Sequence, residues 1–158
     1  MIPTADLFDA HSNRLQVATS LFQDYGARRQ FKGLITTLSV FEDNSLVRSA
    51  LEQPSEGGVL VVDGNGSRRC ALIGDRLGTL AVRNGWAGIV IHGCVRDTAE
   101  LARLDIGIKA LGACPAKSQK RGKGKIGVAV WFADVCFHSG HYLYADQDGI
   151  VLAKENLV

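Results

Sequence analysis

Apolar residues along this chain recur in two periods. Some runs are continuous or alternate every second residue, as strands require, and others repeat every third and fourth residue, as helices require. Residues 59–62 are an unbroken Val-Leu-Val-Val, the pattern of a strand buried on both faces. Residues 31–41, rich in Thr, Ile, Leu and Val, predict another strand. Residues 69–73 form a short apolar run that Gly74 breaks, and Asp75 is placed to cap a helix. Leu77, Leu80 and Ala81 then recur at helical spacing until Asn84-Gly85, a C-terminal stop. A further strand over 86–91 leads through His92-Gly93-Cys94-Val95 to Arg96-Asp97. Asp97 and Glu100 are spaced as an N-cap and its return partner for a helix reaching Leu104. Residues 105–114 read as a strand with Ile106, Ile108 and Ala110 on one face, ended by Pro115.

The remaining segments obey the same logic. Thr4 is an N-cap candidate for a helix carrying Leu7, Ala10 and His11, and Asp43-Asn44 for one that Pro54 ends. Residues 15–25 include a short extended piece. Residues 127–138 predict one long strand, Ser139-Gly140 a turn, 142–145 a returning strand, and Asp146-Gln147-Asp148-Gly149 a hairpin turn before a last strand over 150–153. Strands alternating with helices, then a β-rich second half, indicate a mixed α/β fold in one domain over 1–158.

Composition narrows the function classes. The chain has 158 residues, 46% of them apolar, with 18 glycines, enough for a real core. A net charge of +2 does not support nucleic-acid binding by charge alone. No run is long enough to cross a membrane, and the first residues lack a signal sequence, so the cytoplasm is the expected location. The cysteines at 70, 94, 114 and 136 contain no Cys-x-x-Cys, and suit buried reduced thiols. Cys94 has only His92 nearby as a base for nucleophilic chemistry.

Three polar segments carry candidate chemistry. Asp63-Gly64-Asn65-Gly66-Ser67 lacks the third glycine of a dinucleotide fingerprint and the lysine of a P-loop, and reads as a tight turn. It matches only in part what a methyltransferase using S-adenosylmethionine requires. Lys117, Lys120, Arg121, Lys123 and Lys125 form a basic loop, either solvated or in contact with an acidic partner such as RNA or a ribonuclease, with no aromatic residue interleaved for base stacking. His138 and His141 form a His-x-x-His pair with no evident third ligand.

The strongest candidate lies at 74–77 and 96–97. In a parallel strand-helix-strand unit, Asp75 and Arg96-Asp97 fall on the same sheet edge, where open α/β sheets bind ligands. Helix N-termini there favour an anion. Arg96 offers a fork for a carboxylate, and Asp75 and Asp97 offer hard oxygens for a divalent cation. The same spacing also suits capping aspartates and a surface arginine.

Asp75, twenty residues, then Arg96-Asp97 resembles the signature of the class II pyruvate aldolases that cleave 4-hydroxy-4-methyl-2-oxoglutarate, and of the homologous regulator of ribonuclease activity A family. The resemblance extends over Thr4-Ala5-Asp6-Leu7, Phe41-Glu42-Asp43-Asn44, Val61-Val62-Asp63-Gly64, Leu104-Asp105-Ile106-Gly107-Ile108 and Tyr144-Ala145-Asp146 with Gly149. It implies a swivelling β/β/α domain with a β-rich core flanked by helices, in a ring-shaped homotrimer. It implies a small keto-acid substrate bound by Gly74, Asp75, Arg76 and Leu77, largely through backbone N–H groups. Arg96 would grip the pyruvyl carboxylate and keto oxygen, Asp97 would hold Mg²⁺ or Mn²⁺, and a water either bound to the metal or oriented by Asp75 would shuttle the proton. The implied chemistry is retro-aldol cleavage and oxaloacetate decarboxylation through a pyruvate enolate. The implied alternative is a non-catalytic regulator that binds and inhibits an RNA-degrading endoribonuclease of the ribonuclease E type.

Overall fold

The computed structural model describes residues 1–158. The first half comprises α1 (Thr4–His11), β1 (Gln16–Val17), β2 (Gln23–Asp24), β3 (Phe31–Ser39), α2 (Ser45–Leu51), β4 (Val59–Asp63), β5 (Ala71–Ile73) and α3 (Asp75–Arg83). The second comprises β6 (Gly88–Val95), α4 (Thr98–Leu101), β7 (Gly107–Ala113), β8 (Lys125–Ile126), β9 (Val130–Phe132), β10 (Val135–Phe137), β11 (Tyr142–Asp146) and β12 (Gly149–Ala153). Ten strands form one sheet in the order β1-β12-β11-β3-β4-β6-β7-β2, with β5 attached to β6 and β8 to β3. Strands β3, β4, β6 and β7 are mutually parallel, as is the β5–β6 pair, and antiparallel strands complete both flanks.

Two-residue periodicity divides the core between the two faces of this sheet. Leu60, Val62, Ile89 and Ile91 join Val47 and Leu51 of α2, Leu77 and Ala81 of α3, and Leu101 of α4. Val59, Val61 and Val90 face the other way, toward Phe132, Val135 and Phe137 of the β9–β10 hairpin and Leu143 of β11. Ile106, Ile108 and Ala110 share the helix-covered face, as their spacing predicts. Each fully buried aliphatic side chain contributes about 1.5–3 kcal/mol. The result is three layers, helices on sheet on hairpin, a mixed α/β architecture in which the strand ends are firmly placed.

Local expectations fail where a distant partner intervenes. The strand expected over 127–138 is a hairpin, because Ala133 and Asp134 both have positive φ (52° and 62°) and make a two-residue turn between Phe132 and Val135. Thr4 does not cap α1; Pro3 occupies the cap position, and the Thr4 amide and hydroxyl instead donate to buried Asp146. The helix expected to reach Leu104 ends at Leu101.

Candidate active site

The β5–β6 pairing sets the geometry. Ile73 aligns with Val95, so the next residues, Gly74-Asp75 and Arg96-Asp97, emerge side by side from one sheet edge. The Arg96 amide extends the pairing by donating to the Ile73 carbonyl at 3.0 Å. The sequence places these residues on one edge as expected, but the capping differs. Gly74, not Asp75, is the N-cap of α3, and Asp75 is its first helical residue. Asp97 occupies the N-cap position of α4 in a left-handed conformation (φ 56°, ψ 44°) and makes no cap bond there. Its carboxylate turns away and accepts the Asp75 amide through Oδ2 at 3.0 Å. Asp97 therefore caps the neighbouring helix, not its own.

Gly74 makes this possible. A Cβ at that position would lie 2.3 Å from Asp97 Oδ2 and 3.3 Å from Arg96 Cγ, so only glycine admits the carboxylate. The Asp75 N–H, and to a lesser degree the positive charge of Arg96, hold the Asp97 carboxyl below the usual carboxylate range despite some desolvation. Asp97 is thus ionised at neutral pH.

At the start of α3, the Asp75 amide is taken by Asp97 and the Gly78 amide by the Gly74 carbonyl. The amides of Arg76 and Leu77 between them are the unpaired donors that a helix N-terminus offers an anion. The Leu77 side chain is buried in the core, so only its backbone serves the site.

These residues line a cavity of about 500 Å³. Arg48, Arg76, Arg96, Lys117 and Lys120 line it together with Asp75 and Asp97, five cations against two carboxylates. The sequence does not reveal the contributions of Asn44, Arg48, Lys117 and Lys120. The basic loop keeps its five basic residues exposed, as a solvated loop would, but its backbone is fastened and Lys117 and Lys120 line the cavity. Buried Asp43 accepts the amides of Ser45 (2.9 Å), Arg121 (2.7 Å) and Lys123 (3.4 Å), drawing the loop over the mouth. Burial alone would raise the Asp43 carboxyl, but these N–H groups and the Ser45 hydroxyl outweigh it and hold the group below its ordinary value. Asn44 links both sides, donating to the Leu72 carbonyl (3.2 Å) and accepting from Lys120 Nζ (3.1 Å). In the sequence, only the adjacent Asp43-Asn44 and the lysine pattern hint at this arrangement.

The other candidates do not join this site. In the 63–67 turn, the Asn65 amide donates to Asp63 Oδ1 (2.8 Å), Gly66 to the His92 carbonyl (3.0 Å) and Ser67 to the Gly64 carbonyl (3.3 Å). No amide of those three is left to cradle a phosphate or a nucleoside cofactor. His92 contacts Asp63 Oδ1 at 3.1 Å and stacks on Phe132 at 4.8 Å between centroids. Cys94 is 1% exposed, and burial pushes its thiol up, which opposes a nucleophilic role. His138 and His141 do converge, with ring centroids 4.7 Å apart, beside Cys136 in a second cavity of about 400 Å³. No group of three His, Cys, Asp or Glu residues there or elsewhere has the geometry to hold a metal ion.

A family model described as "RraA-like: Aldolase/RraA" matches residues 4–152. The chain belongs to the RraA-like family. It is 54% identical over 157 residues to an Alkalilimnicola ehrlichii protein named "Putative 4-hydroxy-4-methyl-2-oxoglutarate aldolase", covering 99% of this chain and 98% of that protein. Among solved structures, it is similar to a Geobacillus kaustophilus protein described as S-adenosylmethionine:2-dimethylmenaquinone methyltransferase. The TM-score is 0.97 at 52% identity, covering 99% of this chain and 97% of that one. It is also similar to the RNA-processing inhibitor RraA of Thermus thermophilus, with a TM-score of 0.97 at 44% identity, covering 100% and 96% of the two chains. RraA-like proteins of the same fold thus carry three different functional names, and the site has to decide between them.

Proposed function

We propose that this RraA-like protein is a divalent-metal-dependent lyase that cleaves 4-hydroxy-4-methyl-2-oxoglutarate to pyruvate and also decarboxylates oxaloacetate. The observation that carries this reading is the convergence of Arg96, Asp97 and the open start of α3 on one cationic cavity. A keto acid presents a carboxylate and an adjacent carbonyl. In this reading the amides of Arg76 and Leu77 receive the carboxylate, and Arg96 bridges carboxylate and keto oxygen with its planar fork.

The donor set fits a hard divalent cation. Asp97 Oδ2 is engaged by the Asp75 amide, which leaves Oδ1 free to bind one. Asp75 lines the same cavity and offers a second carboxylate. With so few carboxylates, Mg²⁺ or Mn²⁺ would keep much of its shell for water and substrate. When bound, such an ion draws negative charge onto the keto oxygen.

The chain's own residues supply the rest. Breaking the C3–C4 bond sends its electron pair into the pyruvyl half as an enolate. Arg96 stabilises that charge as it develops, the kind of interaction that contributes most to rate. A water oriented by Asp75 accepts the C4 hydroxyl proton and returns a proton to C3. Oxaloacetate yields the same enolate when CO₂ leaves, so one site serves both reactions.

We further propose a homotrimer and a cytoplasmic location. Leu34, Phe41, Ile126 and Trp131 are more than half exposed, apolar surface suited to a neighbouring copy. Light scattering would test the assembly. No helix is long and apolar enough to cross a membrane. The deciding experiment for the lyase is pyruvate release from both substrates with added Mg²⁺ or Mn²⁺ and with chelator. Metal-dependent release is expected; absence of release with either ion overturns the assignment. A second reading, inhibition of an endoribonuclease of the ribonuclease E type, draws on the near-complete match to the Thermus inhibitor. Calorimetric titration with the ribonuclease scaffold would detect it, independently of turnover.

A further inference from the structure

The proposed cleavage leaves Arg48, Lys117 and Lys120, which line the same cavity, without a role. After β7 the chain crosses the end of β6, where the Pro115 carbonyl accepts from Arg96 Nη1 at 3.4 Å. It then runs beside β5, with the Ala71 amide donating to the Ala116 carbonyl and Lys117 bridging Ala71 in parallel. Since β5 pairs with β6 on its other edge, Lys117 lies level with Ala71 and Cys94, two strand positions and roughly 10 Å from Cys94 at about 4.8 Å per strand, with Arg96 two residues farther along the chain. Lys120 lies farther along, its ammonium held by Asn44 at 3.1 Å. Arg48, paired with Glu52 at 3.5 Å, also lines the cavity from α2. Arg96, Lys117 and Lys120 thus line one cavity of about 500 Å³, with the lysines on a different segment from Arg96, room for a diacid with a carboxylate at each end.

We propose that Lys117 and Lys120, backed by Arg48, form a second anion subsite that takes the carboxylate on the departing half of a 2-oxo diacid. The assignment rests on the lyase reading above and names the substrate class: keto acids whose distal carboxylate survives the reaction. In aldol cleavage the C5 carboxylate leaves intact on the second pyruvate, so the cations stabilise it equally before and during bond breaking. In oxaloacetate decarboxylation the C4 carboxylate surrenders its electron pair to the enolate and departs as neutral CO₂. Cations at that carboxylate then stabilise the ground state more than the transition state and oppose the step. One subsite therefore favours one reaction and restrains the other.

The test compares Lys117→Gln, Lys120→Gln and the double variant with the parent protein on both substrates, with folding checked by circular dichroism. For 4-hydroxy-4-methyl-2-oxoglutarate, the double variant is expected to lose about 10- to 100-fold in kcat/KM, mainly through KM. For oxaloacetate, kcat/KM is expected to fall less than about threefold, with kcat unchanged or raised. Equal losses on the two substrates, or none on either, overturn the subsite.

Calorimetry with two unreactive ligands separates this outcome from the fate of the lyase reading. With Mg²⁺ present, the parent protein should bind 2-oxoglutarate about tenfold tighter than 2-oxobutyrate, and the double variant should bind them alike. Turnover without that preference sinks the subsite and leaves the lyase. The preference without turnover sinks the lyase and leaves the lysines as a diacid-binding wall.

Discussion

Two short glycine-containing turns leave the sheet near one another, and they have opposite fates. The turn at 63–67 comes after β4 and is closed on itself: Asp63 accepts its own Asn65 amide, and His92 and Gly64 take the next two. The turn at 74–77 comes after β5 and stays open, because its one cap comes from Asp97, 22 residues away, and that cap takes a single amide. Both turns contain an aspartate and a backbone that requires glycine. The first has more glycine and looks more like an anion cradle, yet its Asn65, Gly66 and Ser67 amides are all paired within the fold. An anion site is made by amides left unpaired at a helix start and by cations around them, not by glycine content.

Substitutions can sharpen this contrast. The largest effect is expected for Arg96→Ala, which removes the enolate's cation. Pyruvate release should drop about 10²- to 10³-fold while the thermal midpoint holds. Gly74→Ala comes next. Its new Cβ must displace the Asp97 carboxylate, so turnover should fall about 10- to 100-fold and the Mg²⁺ concentration for half-maximal rate should rise.

Asp43→Asn acts through the loop that carries Lys117 and Lys120, and should cost about 1.5–3 kcal/mol in urea unfolding at neutral pH. Its pH dependence has a definite sign. The folded carboxyl is depressed below the unfolded value of about 3.9, so its contribution is complete above that value and is lost as pH falls through the lower folded one. The gap between parent and variant should therefore narrow only in that acid range.

The smallest effects belong to the closed turn. Gly66 has φ 72°, so Gly66→Ala should lower stability by about 1 kcal/mol. His92→Ala, which removes the stack on Phe132, should cost about the same. Both should leave turnover within about threefold of the parent. A large loss of activity in either would mean that the closed turn takes part in the chemistry, and the contrast between the two turns would fail.

Much of this arrangement was legible in the residues. The run at 59–62, the break at Gly74, the stop at Asn84-Gly85 and the alternation of Ile106, Ile108 and Ala110 arise from local sterics and periodic burial, and each matches the structure. Because β5 and β6 are short, apolar and joined by one helix, they were expected to be parallel, and this alone brought Asp75 to Arg96-Asp97. The family resemblance rests on these residues together with motifs from Thr4-Ala5-Asp6-Leu7 to Tyr144-Ala145-Asp146. Less legible were the turns whose type depends on positive φ at residues other than glycine, such as Ala133-Asp134.

The sequence by itself determined the elements, their order and the sheet edge where the candidate chemistry gathers, because periodicity and turn preference act over a few residues. Tertiary structure decided which helix Asp97 caps, that Asp43 fastens a loop 78 residues downstream, and that lysines which read as a solvated run wall the cavity. Those choices depend on hydrogen-bond partners that only the folded chain brings within about 3 Å, and no local pattern encodes which distant partner a carboxylate meets.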